Sequence, residues 1–290
     1  MFYSPLRYPG GKGKLASLME ILIDETGHRG GTYIEPFAGG AGIALELLEK
    51  NIVEQIVIND LDKGIYSFWK AILTETDRFI CDVNNVEISM EEWNRQRNIC
   101  MQCNNRYSYE LGFATFYMNR TNRSGIIKGG VIGGIQQAGK WKMDARFNKQ
   151  NLSERILRVA NNKSKIKLYN KDIGSFLLKY VPKYESNAFI YFDPPYFNKG
   201  EELYLNFFNY SDHKRIEKLI NKYVKCDWII TYDDSLEINN IYNQYEIKKF
   251  DLNYSAGTKR KASEIIIFKN NNMIPSLELL NKKKVSINLR

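Results

Sequence analysis

Residues 32–60 read TYIEPFAGGAGIALELLEKNIVEQIVIND, and this stretch decides the fold. Its first four residues, Thr32-Tyr33-Ile34-Glu35, read as a short buried strand. A turn from Pro36 to Gly42 follows. Ile43, Ala44, Leu47 and Leu48 then recur at helical spacing as far as Lys50. Gln55 to Asn59 is a second apolar run of strand length, ending at Asp60. Further on, residues 63–73 carry Ile65, Phe68, Trp69 and Ile72 on one helical side. Strand, helix, strand, helix is the opening of a doubly wound sheet.

The rhythm then stops. Residues 74–161 are polar, aromatic and basic, and the glycine-rich run at 124–134 reads as a hairpin. Strands and helices resume over 165–169, 173–180, 188–192, 213–223, 227–231 and 236–242. Two adjacent strands, 246–254 and 264–269, predict an antiparallel pair at the sheet edge. The expected organisation is a discontinuous catalytic domain (1–73 and 162–270) interrupted by an insert (74–161). A polar, loosely held tail (271–290) follows. Ligands in open α/β sheets sit beyond the carboxyl ends of the strands.

Composition narrows the function. The 290 residues are 43% hydrophobic and 26% charged, without an apolar run long enough to span a bilayer. The first fourteen residues lack the apolar core of a signal peptide. Four cysteines at this length make no disulfide framework, so a reduced, cytoplasmic protein is expected. The lone pair Cys100 and Cys103 and the two histidines, His28 and His213, argue against a metal site. The net charge is +9. It is concentrated in residues 111–165, where Arg120, Arg123, Lys128, Lys140, Lys142, Arg146, Lys149, Arg155, Arg158, Lys163 and Lys165 face only Asp144 and Glu154. A neutral body with one basic segment fits a polyanion-binding insert better than a merely solvated face.

Chemistry concentrates at the predicted strand ends. Asp193-Pro194-Pro195-Tyr196 follows the apolar run 188–192. The prolines end the strand and leave carbonyl oxygens without ladder partners. A carboxylate, a carbonyl and an aromatic face suit a planar amine. The loop Glu35-Pro36-Phe37-Ala38-Gly39-Gly40 lets the backbone approach a ligand, and Asp60 can accept from both hydroxyls of a ribose. Neither a dinucleotide fingerprint nor a triphosphate loop is present, which favours a nucleoside cofactor without a diphosphate. S-adenosyl-L-methionine fits. Asp172 can accept from the cofactor's adenine amine, and Lys12 can meet its carboxylate or hold the catalytic loop.

In order along the chain, these pieces resemble the class D12, Dam-like DNA adenine-N6 methyltransferases. The matching stretches are Leu6-Arg7-Tyr8-Pro9-Gly10-Gly11-Lys12, Glu35 to Gly40, Asn59-Asp60, Phe116-Tyr117-Met118-Asn119-Arg120, Asp172, Asp193 to Tyr196, and Tyr254-Ser255-Ala256-Gly257-Thr258-Lys259-Arg260. Position 41, where the family pattern places glycine, is Ala41 here. The resemblance implies a Rossmann-like class I methyltransferase sheet with an inserted target-recognition domain. It implies a site-specific enzyme that methylates a flipped-out adenine in double-stranded DNA. Asp193, Pro194, Pro195 and Tyr196 would be catalytic, with Asp193 and the Pro194 carbonyl accepting from the N6 amine and Tyr196 stacking on the base. Phe197 would wall the pocket. Tyr8, Lys12, Glu35, Pro36, Phe37, Ala38, Gly39, Gly40, Asp60, Asp172 and Ile173 would bind S-adenosyl-L-methionine. Tyr117, Asn119, Arg120, Arg123, Lys140 and Lys142 would contact DNA, with Arg suited to guanine and Asn to adenine. His213 is expected to be structural. A monomer is expected, with no metal and no membrane. A restriction-modification setting, with a cognate restriction endonuclease as a further partner, is compatible with this reading. The competing readings are an RNA methyltransferase acting on guanine N2 or adenine, and a catalytically silent DNA-binding protein.

Overall fold

The computed structural model describes residues 3–7, 13–102, 106–198, 208–253, 261–283, 285 and 289–290. The chain forms two compact units, Gly10–Asn59 with Lys171–Arg290, and Met1–Pro9 with Asp60–Asn170.

The first unit holds α1 (Gly13–Glu25), β1 (Thr32–Glu35), α2 (Gly42–Glu49), β2 (Gln55–Asn59), α8 (Ile173–Lys179) and β4 (Ala188–Phe192). It continues with α9 (Tyr210–Tyr223), β5 (Asp227–Asp233), α10 (Leu236–Ile241), β6 (Glu246–Asn253), β7 (Lys261–Phe268) and α11 (Leu277–Lys282). The second unit holds α3 (Lys63–Thr74), α4 (Thr76–Asn85), α5 (Met90–Met101), α6 (Tyr109–Thr121), α7 (Lys149–Asn161) and β3 (Ile166–Tyr169). The sheet is seven-stranded, in the order β3-β2-β1-β4-β5-β7-β6. This is the Rossmann-like α/β architecture expected of a methyltransferase.

Strands β1, β2, β4 and β5 run parallel, with Glu35 opposite Ile58, Ile34 opposite Ile190 and Phe192 opposite Ile230. Their carboxyl ends therefore share one edge, and the motif loops leave from it. All five residues of β4 are buried, as expected of a parallel strand covered on both faces. Strands β6 and β7 form the predicted antiparallel pair, with β7 antiparallel to β5.

The insert differs from expectation. It is built on helices. Residues 124–134 form a turn-rich loop closed by one bridge, Asn122 to Val131, rather than a regular hairpin. Glycines at positive φ (Gly125, Gly133 and Gly134) keep that segment from continuing as strand. Helix α6 is buried on every side, so it shows no apolar stripe that periodicity could detect. Its Phe113 and Phe116 join Phe68, Phe79 and Phe147 in a cluster of rings 5.3–6.3 Å apart. A Cβ on Gly112 would lie 2.5 Å from the Ser67 carbonyl oxygen, so α3 and α6 cross at a distance only glycine allows. That crossing draws α3 into the helical unit, which begins at Asp60 rather than after residue 73.

The tail, expected to be loosely held, is anchored at two places. Met273 and Leu280 are buried. Lys249 and Arg290 exchange backbone hydrogen bonds of 2.8 and 2.9 Å along β6.

Candidate active site

The loop after β4 is held by its neighbours in the sheet. Asp193 follows β4, and its Oδ1 accepts from the Thr231 hydroxyl at 3.2 Å. Thr231 lies on β5, fully buried, and shares a 2.8 Å hydrogen bond with Tyr191. Two residues later on β5, buried Asp233 accepts from the backbone N–H groups of Phe197 and Asn198, both at 2.9 Å. One carboxylate thus fixes two consecutive amides just beyond the prolines. Tyr196 is 5% exposed, and its hydroxyl donates to Glu264 of β7 at 2.7 Å. Burial, and then the nearby Asp193 and Glu264 carboxylates, push the Tyr196 phenol well above its ordinary value. It is therefore a neutral donor. The expectation that Tyr196 offers a free ring face meets a ring that is largely covered; Phe197 is the more exposed aromatic of this loop.

The loop after β1 is ordered from below. Glu35 is buried, and its Oε1 accepts from the Ala44 N–H at 3.1 Å. Ala41 at the N-cap of α2 has no side-chain acceptor, so Glu35 supplies the capping carboxylate from the strand. Gly39 and Ala41 sit in the left-handed region, at φ 46° and 45°. The side chain of Asn59 donates to the carbonyls of Pro36 (3.0 Å) and Lys171 (3.1 Å) and accepts from the Lys171 N–H (2.9 Å). One amide at the end of β2 therefore joins the glycine loop to the segment that precedes α8. The rings of Phe37 and Phe208 (6.1 Å), Phe208 and His213 (5.7 Å), and His213 and Phe197 (5.6 Å) form a continuous series. This series links the glycine loop to the Asp193 loop. His213 is fully buried, with Nδ1 3.1 Å from the Tyr232 hydroxyl, which is a packing role.

Asp60 opens the helical unit. It accepts from the Asp62 N–H at 2.9 Å, an arrangement that fixes its carboxylate at the strand end. Asp172 is the N-cap of α8, accepting from the Ser175 N–H at 3.1 Å, and its carboxyl is held low by the Ser175 hydrogen bonds. It remains half exposed. Ile173 behind it is buried. Tyr8, Lys12 and residues 254–260 lie outside the described residues.

The six residues expected to meet DNA separate into two groups. Tyr117, Asn119 and Arg120 are buried in α6. Asn119 accepts from the Arg7 N–H (2.7 Å) and donates to the carbonyls of Arg7 (2.7 Å) and Gly125 (2.8 Å). Both Nε and Nη2 of Arg120 donate to the Pro5 carbonyl. Tyr117 donates to the Glu87 carbonyl at 3.2 Å. These three hold the N-terminal segment and the interior of the helical unit, and their burial leaves no base-reading surface. Polar residue type suggested DNA, but the polarity serves backbone groups. Arg123, Lys140 and Lys142 are exposed, as a DNA contact requires. Asp233, Thr231, Glu264 and Asn59 complete the site. Of these, only Asn59 stood inside a sequence motif.

Among the described residues, no group of three or more His, Cys, Asp or Glu side chains is placed to hold a metal. No described helix is long and apolar enough to cross a membrane.

The model of one family, described as D12 class N6 adenine-specific DNA methyltransferase, matches residues 8–256. The chain is 25% identical over 272 residues to the type II methyltransferase M.MjaIII of Methanocaldococcus jannaschii, covering 84% of this chain and 89% of that protein. It is 22% identical over 280 residues to the type II methyltransferase M1.LlaDCHI of Lactococcus lactis subsp. cremoris, covering 90% and 93%. Among solved structures, the putative methyltransferase yhhF from Escherichia coli aligns with a TM-score of 0.38 at 8% identity, covering 91% and 90%.

Proposed function

The chain belongs to the D12 class N6 adenine-specific DNA methyltransferase family, and from that premise we propose that it moves the methyl group of S-adenosyl-L-methionine onto N6 of an adenine flipped out of duplex DNA. The observation that carries this reading is the double clamp on the Asp193 loop. Thr231 sets the carboxylate and Asp233 pins the two amides that follow.

The glycine loop suits the donor. Its left-handed turn at Gly39 and Ala41 presents backbone, and a Cβ on Gly42 would meet nothing within 4 Å, which leaves room for a ligand. Glu35, Pro36, Phe37, Ala38, Gly39 and Gly40 would hold its amino-acid end, together with Tyr8 and Lys12. Asp60 would accept from the ribose, with Asp172 and Ile173 against the cofactor's adenine. When bound, S-adenosyl-L-methionine supplies an electrophilic sulfonium methyl.

The chain's own residues do the rest. The Asp193 carboxylate and the Pro194 carbonyl accept the two N6–H bonds of the target. This turns the nitrogen lone pair away from the ring and towards the methyl carbon. Direct transfer would form the N6–C bond as the sulfonium C–S bond breaks, leaving S-adenosyl-L-homocysteine as the neutral thioether, and the surplus N6 proton would leave on the Asp193 side. Because Thr231 and Asp233 pre-set the loop, no reorganisation is needed at the moment of transfer. Pro195 keeps the backbone extended, while Tyr196 and Phe197 wall the base. Arg123, Lys140 and Lys142 would contact the duplex. The type II names of the two relatives support a restriction-modification setting with a cognate endonuclease.

The test is tritiated methyl transfer from S-adenosyl-L-methionine to unmethylated duplex DNA, with nucleoside analysis of the product. Label in N6-methyladenine is expected. Label confined to ribosomal RNA, or none in DNA while the donor binds, would overturn the proposal.

A further inference from the structure

The helical unit carries a feature that the methyl-transfer chemistry does not use. Residues 133–142 form a loop drawn closed at its neck. A Cβ on Gly133 would lie 2.8 Å from the Trp141 carbonyl oxygen, and one on Gly139 would lie 2.9 Å from the Gly133 Cα. The Gly139 N–H donates to the Gly133 carbonyl at 3.0 Å. Gln137 locks the interior. Its amide donates to the carbonyls of Ile132 (2.8 Å) and Gly134 (2.7 Å) and accepts from the Met143 N–H (3.0 Å). The Lys142 ammonium closes on the Gln137 carbonyl. The loop is therefore built, not slack.

This built loop displays two large apolar side chains. Trp141 is 65% exposed and Ile135 is 79% exposed, while the chain's other tryptophans, Trp69, Trp93 and Trp228, are buried. Tryptophan is enriched among the residues that carry binding energy at interfaces. The surrounding charge says what covers it. Arg123, Lys128, Lys140, Lys142 and Arg146 are all exposed in this segment, against the single exposed acid Asp144. Cationic side chains around an exposed indole, the Lys140 ammonium itself 5.8 Å from the ring centroid, suit a polyanion with flat faces. Protein partners would more commonly meet a polar rim of both signs.

We infer that Trp141 is an aromatic wedge that stacks on bases of the substrate duplex, with the aliphatic Ile135 as a further apolar contact from the same loop. The inference rests on the DNA-methylating reading and assigns that reaction an element outside the catalytic loop. Lysines at 140 and 142 hold the flanking phosphates, while the indole takes the stacking surface opened when a base leaves the helix. The two kinds of contact have different signatures. Phosphate contacts set the salt dependence of binding; stacking does not.

The experiment uses the full chain and sheared, unmethylated plasmid duplex. Trp141 is the exposed indole, so wild-type emission should quench on DNA addition and Trp141→Phe should show little change. Trp141→Ala should bind about 10- to 100-fold more weakly with the same slope of log K against log salt. Lys140→Ala should lower that slope by about one. Trp141→Phe should restore most of the affinity. Unchanged emission with DNA bound, or full affinity in Trp141→Ala, would overturn the wedge. So would emission changes that follow protein concentration alone, since the loop would then be covering a second copy. Wild-type enzyme that methylates DNA while Trp141 stays silent sinks this inference and leaves the catalytic reading standing. Quenching without any methyl transfer does the reverse.

Discussion

Two loops of this molecule each depend on a side chain that makes several backbone hydrogen bonds, and they depend on it in opposite ways. The loop after Asp193 is held by Asp233, which belongs to a different strand and accepts from Phe197 and Asn198. The loop at 133–142 is held by Gln137, which belongs to the loop itself. The first inherits its geometry from the register of β4 against β5, so its placement follows the sheet. The second carries its own geometry and asks nothing of the sheet. Chemistry that must stay the same is tied to the fold. If the loop at 133–142 meets DNA as inferred above, recognition is tied locally and can change without disturbing the rest.

The largest expected effect lies at Asp193. Asp193→Ala should lower methyl transfer at least about 10³-fold, as loss of a principal electrostatic contact to the reacting group does. Melting temperature and donor binding should stay near wild type. Transfer within tenfold of wild type would remove Asp193 from the mechanism.

Asp233 tests whether the sheet-borne clamp matters as a clamp. Asp233→Ala leaves two amides without their acceptor and should cost about 2 kcal/mol or more. That corresponds to a drop of about 4–8 °C in Tm. Turnover should fall by about tenfold or more, with donor affinity little changed. Asp233→Asn, which keeps one acceptor oxygen, should fall between the two. Equal kcat in all three would make Asp233 merely structural.

His213 sharpens the picture through pH. Burial depresses its pKa below the ordinary 6.5, outweighing the nearby Asp233 and Asp212. As pH falls through 6.5, the unfolded chain takes up a proton that the buried ring resists. Acid therefore favours unfolding, and the loss continues down to the folded-state value. Stability measured by denaturant between pH 7.5 and 5 should decline, and His213→Phe should flatten that decline. A slope unchanged in the variant would assign the effect to other groups.

The smallest effect belongs to the self-held loop. Gln137→Ala should shift Tm by less than about 2 °C, because only an exposed loop loosens. DNA affinity should weaken by a few fold, about threefold, as the ordering of the loop moves to the binding step. Donor binding should be untouched. A large loss of stability would mean that this loop, too, is part of the fold.

The sequence showed the strand ends plainly because β1, β2 and β4 are short apolar runs closed by Pro or acid. The Glu35, Asp60 and Asp193 motifs each sit within a few positions of such an end. It did not show Thr231, Asp233 or Glu264. These reach the Asp193 loop from strands that follow it by some 35 to 70 residues, and only strand register brings them there. The organisation of the insert is hidden for a related reason. Helix α6 buries Thr115, Asn119, Arg120 and Thr121 along with its apolar residues, so it lacks the two-faced pattern that marks a surface helix. Asn119 and Arg120 then looked like reading residues, when their partners are the backbone of residues 5, 7 and 125. Burial of polar groups against backbone is invisible without the fold.

The hydrogen bond from Tyr196 to Glu264 ties two distant codons together. A phenylalanine at 196 would keep the ring and remove the phenol that Glu264 meets inside the protein. A carboxylate deprived of a buried donor is costly, whereas an apolar residue in its place need not be. Drift at either position is thus conditional on the other. A lineage can exchange the pair, Tyr with Glu for Phe with an apolar residue, but the single intermediates are the disfavoured steps. The two sites should travel through descent as one inherited character.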